Sequence, residues 1–397
     1  MKKYKNHTKK DLLKIYRLMQ TSRMLDDKQL ILLKQGKGFF HIGASGHEAV
    51  QIAASRVMEP KIDYSYPYYR NQAFCLAHGM TVKDMLLSFM AKEDDPNSGG
   101  RQMPQHFGHT GLNIVNQSSN TGTQYLQAVG AAFALQRDES DAVVYVSSGE
   151  GTTSQGDFHE ALNWSSRNKA PVIFHIHNNG YAISVPVSEQ ISGKSVYKIT
   201  AGYENLARIS VDGTNYFESY LAFKKSVDRA RKGHGPTVIE SNVVRLFPHS
   251  SSDDHKKYRS EDDIEADKLK DPILILRDTC IKRKIATKSE LEKIDTEIFN
   301  LVNESTDWAE TQENPDPAKP LKNLYGPDQE FMDKPNVEND KIVLVDAINH
   351  ALDEELTHNP KALIYGEDIA GGKGGVFTAT RGLTDKHGKD RVFNSHL

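Results

Sequence analysis

Two short motifs, Gly149-Glu150-Gly151 and Asn178-Asn179-Gly180-Tyr181, carry the residues whose types and spacing could do chemistry. Each follows an apolar run, AVVYVS at 142–147 and PVIFHIH at 171–177, of the kind that forms a buried parallel strand. Between them, residues 155–167 read as a helix with Phe158, Ala161, Leu162 and Ser165 on one side. A carboxylate at one strand end and an amide at the next would open on one crevice, where parallel sheets bind ligands. Glycines beside Glu150 would let backbone approach a diphosphate, and the helix beyond would offer free N–H groups to its charge. Mg2+ takes oxygen ligands and shares its shell with phosphates, so Glu150, the Asn179 amide and a backbone carbonyl suit it. Either motif alone reads as a tight turn; the two together, one helix apart, point to a metal–phosphate site.

A nicotinamide site is the rival, because Gly149-x-Gly151 begins a GxGxxG-like pattern. It fails at Ser154, where a third glycine is needed, and at the second strand end, where asparagines replace the acidic ribose partner. No GxxxxGK[ST] phosphate loop is present.

The elements that must position these residues form an alternating α/β chain, a parallel sheet flanked by helices. Residues 9–35 have helical periodicity through Leu12, Ile15, Tyr16, Met19, Leu25 and Leu30, and a glycine-punctuated segment, 36–46, precedes a second helix. A Gly- and Asn-rich loop spans 96–120, and a helix starts at Thr123. Strands are expected at 207–211 and 237–246 around a helix at 217–231, then a polar surface loop at 250–260. Thr287 and Glu290 form a capping-box signature for a last helix. Residues 1–313 are expected to form one domain and 314–340, with five prolines among charges, a linker. Residues 341–397 would open a second α/β domain, too short to bury a good core alone.

With 38% hydrophobic and 26% charged residues, the chain should be globular and soluble, and its 397 residues suit at least two domains. A net charge of −3 gives no attraction for nucleic acid or an anionic membrane. Cys75 and Cys280 lack CxxC spacing and read as reduced thiols of a cytoplasmic protein. The basic N-terminus has no apolar stretch of a secretory signal, and no run approaches the ~18–20 apolar residues of a membrane span.

The spacing from Gly-Glu-Gly to Asn-Asn resembles the thiamine diphosphate signature. GRQMP (100–104), QAVGAA (127–132), GEGTTSQGDFHE (149–160), NNGYAIS (178–184) and HSSSDDHKKYRS (249–260) resemble the alpha subunit of branched-chain 2-oxoacid dehydrogenases. Residues 340–397, with ALDEEL, YGED, GGVF, GLTDKHG and RVFNSHL, resemble the opening of the beta subunit, so the whole is similar to a fused alpha–beta form. The resemblance implies thiamine diphosphate with Mg2+ held by Glu150, Asn179 and the Tyr181 carbonyl. Tyr69 and Arg70 match a pair that contacts the diphosphate, and Arg245 a second basic contact suited to bidentate phosphate binding. Ser119, Thr121, Gly151 and Thr152 fall where the family's chain approaches the cofactor, and Ser118, Thr123 and Gln124 match a structural K+ site. Glu367 and Leu397 match positions lining the aminopyrimidine end.

His249 is the catalytic candidate, an imidazole titrating near neutrality that could steer the oxo group and pass protons. Ser250 and Ser260 match positions phosphorylated in mitochondrial relatives. The family often has a second histidine beside His249, where this chain has Phe247 and Pro248, and His177 stands where some relatives have arginine. The activating glutamate is expected about two residues beyond Leu397. The implied reaction is oxidative decarboxylation of a branched-chain 2-oxoacid, with the acyl group passed to a lipoyl-bearing dihydrolipoyl acyltransferase by an obligate oligomer. Glu150, where pyruvate-specific relatives commonly have aspartate, and the Ser-Asp-Asp-x-x-x-Tyr-Arg run at 252–259 favour branched-chain substrates over pyruvate or acetoin. The other reading is a non-catalytic remnant that binds cofactor or partner subunits.

Overall fold

The computed structural model describes residues 7–321, 324–326 and 341–396. They fall into two compact units, Met1–Leu321 and Lys322–Leu397. The first unit begins with α1 (Lys9–Lys34), α2 (Glu48–Ser55), β1 (Tyr64–Tyr66), α3 (Gln72–His78), α4 (Val82–Phe89) and α5 (Thr123–Arg137). Next come β2 (Val144–Gly149), α6 (Gly156–Arg167), β3 (Val172–Asn178), the hairpin β4 (Tyr181–Ala182) and β5 (Val185–Pro186), then α7 (Val187–Gln190) and α8 (Val196–Ile199). It ends with β6 (Ala207–Asp212), α9 (Tyr216–Arg231), β7 (Thr237–Asn242), α10 (Glu261–Lys268), α11 (Pro272–Lys282) and α12 (Lys288–Glu310).

Five of these strands make one parallel sheet in the order β1-β2-β3-β7-β6. Successive side chains of a strand point to opposite faces, and the two apolar cores divide accordingly. Tyr145, Ile173 and Ile239 face a core shared with α1, α2, α9, α11 and α12. Val144, Val146, Val172, Phe174, Ile176 and Val238 face the other, shared with α5 and α6. Both faces are covered, so β2 and β3 read as continuous apolar runs rather than alternating ones.

Local signals account for the ends of the long helices. Capping boxes close the N-termini of α1 (Thr8 with Asp11) and α12 (Thr287 with Glu290), each satisfying two otherwise free donors. Leu12, Ile15, Tyr16, Met19 and Leu25 are buried as the periodicity implies, whereas Leu30 is only half-buried and Leu32 takes its place in the core.

Two expectations need correction. The strand expected at 237–246 stops at Asn242, because the chain beyond it leaves the sheet to meet another segment. There, the Leu246 N–H donates to the Ser45 carbonyl, and Gly46 lies so close to the Val244 carbonyl oxygen that a Cβ would sit 2.1 Å from it. The polar stretch 250–260 is not merely a surface loop: Ser250, His255 and Arg259 are buried. Arg259 holds it by donating to the Arg245 carbonyl at 3.0 Å and to Asp267 at 2.6 Å.

At the start of the expected linker, the Asp316 N–H donates to Glu93, and the Glu93 N–H to the Glu313 carbonyl. Pro327 and Pro335 lie outside the described residues. The second unit contains α13 (Leu344–His358), β8 (Ile364–Gly366), α14 (Leu383–His387) and β9 (Val392–Asn394), with β8 and β9 parallel. Its buried core is Leu356, Leu383 and Val392, and Ile342, Val343, Leu344, Ile348 and Tyr365 stay exposed.

Candidate functional site

Four neighbouring strands, β1, β2, β3 and β7, end on the same side of the sheet, and the chain leaving each carries a residue singled out by sequence. Tyr69 and Arg70 follow β1, Glu150 follows β2, Asn179 and Tyr181 follow β3, and Arg245 and His249 follow β7. The register sets Gly149 beside His177 and Asn178 beside Asn242, so these segments open next to one another. Ligands bind at that edge of a parallel sheet.

Glu150 begins a short 3-10 turn and is 1% exposed. Its Oε2 accepts the Asn179 N–H at 3.3 Å, while its Oε1 is buried without a hydrogen-bond partner. Burial pushes its carboxyl pKa up, and hydrogen bonding and the charges of Arg245 and Arg70 only partly offset this. A buried acceptor normally finds a partner, so the free oxygen marks a place suited to a cation.

The Asn179 turn is fixed by its neighbours. Asn178 Nδ2 donates to Glu240 at 2.9 Å, and Asn178 Oδ1 accepts the Gly180 N–H at 3.0 Å. Asn179 Oδ1 accepts the Tyr181 N–H at 3.2 Å. Tyr181 lies opposite Pro186, and the adjacent bond runs from the Val187 N–H to the Gly180 carbonyl. That alternation leaves the Tyr181 carbonyl outside the hairpin ladder. Among the described residues no three His, Cys, Asp or Glu side chains gather as a metal site, so a metal here would need amide and carbonyl oxygens besides Glu150. Gly151 has a packing role that sequence did not suggest: a Cβ there would lie 2.5 Å from that of Ala182. Beside it, Thr152 is half-buried and its carbonyl accepts the Gln155 N–H.

The basic residues are sequestered. Arg70 and Arg245 are 2% and 1% exposed. Arg70 donates to the Gly43 carbonyl at 2.6 Å, to the His249 carbonyl at 2.7 Å and to His249 Nδ1 at 3.1 Å, with its guanidinium over the Tyr69 ring. Arg245 donates to the Ile183 carbonyl at 3.0 Å and to Tyr258 Oη at 2.7 Å, and its Nε has no partner. None of these partners is a carboxylate, and burial with the charge of Arg70 lowers the Arg245 pKa. Neither guanidinium hydrogen-bonds a carboxylate directly, and the carboxylates of Glu150 and Asp253 act on them only at longer range, which leaves donor capacity suited to an anion.

His249 differs from its sequence expectation. A guanidinium only donates, so Nδ1 accepts from Arg70 and the neutral ring carries its proton on Nε2. Burial, then Arg70 and Arg245, push its pKa down to about 3, so it does not titrate near neutrality. Its backbone N–H donates to Asp253 at 2.7 Å, and Asp253 also accepts from Tyr258. His177 likewise brings no charge to a phosphate. It is fully buried, stacked on His47 with Nδ1 atoms 3.2 Å apart, and its pKa falls to about 3 through burial and Arg70.

The other candidates fall into smaller groups. Ser119 and Thr121 are exposed; the Ser119 hydroxyl bonds His106 Nε2 at 2.9 Å. Ser118 and Thr123 hydroxyls meet directly, whereas Gln124 donates to the Ser147 carbonyl at 3.2 Å. Ser260 caps α10, where Glu261, Asp262 and Asp263 already supply negative charge. Glu367 is exposed in the second unit, and Leu397 lies outside the described residues. Sequence reasoning missed Gly43 and Glu240, whose partners are distant, and read Asp253 and Tyr258 only as part of the HSSSDDHKKYRS motif, without their contacts to His249 and Arg245.

The dehydrogenase E1 component family model matches residues 16–318. The chain is 40% identical over 319 residues to the 2-oxoisovalerate dehydrogenase subunit alpha of Bacillus subtilis (strain 168), covering 80% of this chain and 96% of that one. It is 35% identical over 273 residues to a pyruvate dehydrogenase E1 component subunit alpha of Staphylococcus aureus, covering 68% and 70%. With the mitochondrial 2-oxoisovalerate dehydrogenase subunit alpha 2 of Arabidopsis thaliana it shares 36% identity over 252 residues, 64% of this chain and 53% of that one. The chain therefore belongs to the dehydrogenase E1 component family, the thiamine-diphosphate-dependent enzymes of 2-oxoacid dehydrogenase complexes, and corresponds to its alpha component.

Proposed function

We propose that this chain binds thiamine diphosphate through Mg2+ and acts on branched-chain 2-oxoacids, with the acyl group passing to the lipoyl domain of a dihydrolipoyl acyltransferase. One observation carries the reading: the buried Arg70 and Arg245, without carboxylate partners, lie close enough to Glu150 to act on its charge, and Glu150 keeps one oxygen unpartnered. Two guanidiniums near a carboxylate that is itself beside an amide fit a diphosphate bridged by a divalent cation.

Arg70, with Tyr69, and Arg245 would hold the diphosphate, and Glu150, Asn179 and the Tyr181 carbonyl would hold Mg2+. Ser119, Thr121, Gly151 and Thr152 would line the cofactor's approach, and Ser118, Thr123 and Gln124 would hold K+. When bound, thiamine diphosphate supplies the electron sink for decarboxylation. His249 would act as a neutral donor through Nε2–H, orienting a substrate oxygen while Arg70 fixes its ring. Glu367 and Leu397 would serve the pyrimidine end, in a fused alpha–beta arrangement with 1–313 and 341–397 as its parts and 314–340 as linker. The exposed Ile342, Val343 and Leu344 support further protein contact and a homo-oligomer. A cytoplasmic setting suits the free, buried Cys75 and Cys280; among the described residues no helix is long and apolar enough to cross a membrane.

Calorimetric titration of the full chain tests the cofactor site: thiamine diphosphate should bind with Mg2+ and lose most of its affinity without it. Metal-independent binding would sink the assignment. For the substrate, CO2 release from 3-methyl-2-oxobutanoate should exceed that from pyruvate by at least about tenfold in kcat/KM. The reverse preference would support the pyruvate reading.

A further inference from the structure

The glycine-punctuated segment before α2 has no role in the proposed reaction, yet it bonds Arg70 and the chain on either side of His249. Residues 41–46 are buried, and Ile42 is the one large apolar side chain among them. With little apolar side chain to bury, the segment's position depends largely on its hydrogen bonds. Outward, the Gly43 carbonyl accepts from Arg70 at 2.6 Å. The His41 carbonyl accepts the Ser251 N–H at 2.8 Å, and the His41 N–H donates to Ser251 Oγ at 3.2 Å. The Ser45 carbonyl accepts the Leu246 N–H at 3.3 Å, next to Arg245.

Inward, Gln105 Oε1 accepts the Ile42 N–H at 2.7 Å and Glu48 Oε2 the Gly46 N–H at 2.8 Å, while one carboxylate takes His41, Ala44 and Ser45 together. Asp26, midway along α1, is fully buried. Its Oδ2 accepts from the Ala44 N–H at 2.8 Å and Ser45 Oγ at 2.7 Å. Its Oδ1 accepts from Gln72 Nε2 at 3.2 Å and His41 Nε2 at 3.3 Å. An ionised carboxylate accepts about four hydrogen bonds and donates none, so these four donors fill it. Asparagine would turn an NH2 group toward two of them.

We propose that Asp26 is a positioning residue of the diphosphate site: it clasps residues 41–46, which in turn fix Arg70 and the loop carrying His249. Asp26 need not touch the cofactor; it acts through Gly43 and His41. The inference rests on the reading that Arg70 grips the diphosphate, so the test has one arm that needs no cofactor.

Asp26→Ala and Asp26→Asn are made in the full chain, with Leu12→Ala as a control that loosens the same helix by a core cavity. In the cofactor-free protein, hydrogen exchange should speed up at residues 249–253 in Asp26→Ala while α12 keeps its protection. In titrations, the Kd for Mg2+–thiamine diphosphate should rise about tenfold or more in Asp26→Ala, the range that loss of an outer-shell partner costs a site. It should rise less in Asp26→Asn, which keeps two acceptor positions, and stay unchanged in Leu12→Ala. Unchanged exchange at 249–253 in both Asp26 variants would overturn the inference, as would a Leu12→Ala Kd that rises equally. If the parent chain itself does not bind Mg2+–thiamine diphosphate, the cofactor reading falls and the exchange result still decides the role of Asp26.

Discussion

With Glu150 replaced by glutamine, Mg2+–thiamine diphosphate should bind at least about 100-fold more weakly, and the cofactor-free protein should become more stable. The first effect follows from removing the proposed metal's anionic ligand; loss of outer-shell partners alone costs 10- to 100-fold at metal sites. The second follows from the state of the carboxylate without metal. Burial outweighs the pull of Arg245 and Arg70, and Oε1 has no partner. Glutamine keeps an oxygen for the Asn179 N–H and removes the buried charge, a gain of about 1–2 kcal/mol. Urea unfolding at neutral pH without cofactor measures the gain, and titration measures the loss. A variant less stable than its parent would mean that Glu150 is already compensated within the protein. As acid protonates the parent's Glu150, whose pKa is raised, the difference between the two should shrink.

Acidification from pH 7 to pH 5 should destabilise the first unit steeply through its buried histidines. His177 and His78 are buried, with pKa values pushed down to about 3 and about 4, His177 by burial and Arg70 and His78 by burial alone. In the unfolded chain each would titrate near 6.5. Between about pH 6.5 and those lower values the unfolded state binds protons that the native state refuses. Stability therefore rises with pH across that window and is lost as pH falls through it. At pH 5 the two rings together should cost about 4 kcal/mol relative to pH 7. His47 and His175, also held well below the usual value by burial, act in the same direction. Urea midpoints at the two pH values provide the measurement, and His78→Gln should remove about half of the loss assigned to the pair. A midpoint unchanged from pH 7 to pH 5 would contradict this account.

The sheet and the Glu150–Asn179 crevice were legible because their signals are local. Two apolar runs, each ending in a glycine-flanked polar residue, determine strand, turn and direction together, and β2 and β3 formed where those runs lie. Capping at Thr287 was legible for the same reason. β1 was not: it has three residues, and it is held by pairing with β2 rather than by a pattern of its own. The protonation of His249 was equally hidden. It depends on Arg70, 179 residues away, and on burial that no loop composition reveals. Sequence suggested a ring that exchanges protons, whereas its surroundings make it a fixed donor.

The order of the sheet has a consequence for the chain as it is synthesised. β7 is the last of the five strands to be made, yet it lies inside, between β3 and β6. Until it emerges, β3 is an apolar strand with one edge unpaired, for roughly 3 to 12 s at ordinary elongation rates. An open edge of that kind is a template for pairing with another nascent chain. The window closes when Thr237–Asn242 inserts, and Arg245 and His249 follow directly behind it. Delivery of Arg245 and His249 to the strand ends and the sealing of the sheet therefore come together in the order of synthesis, so the proposed diphosphate site would be completed only after the open edge of β3 is covered.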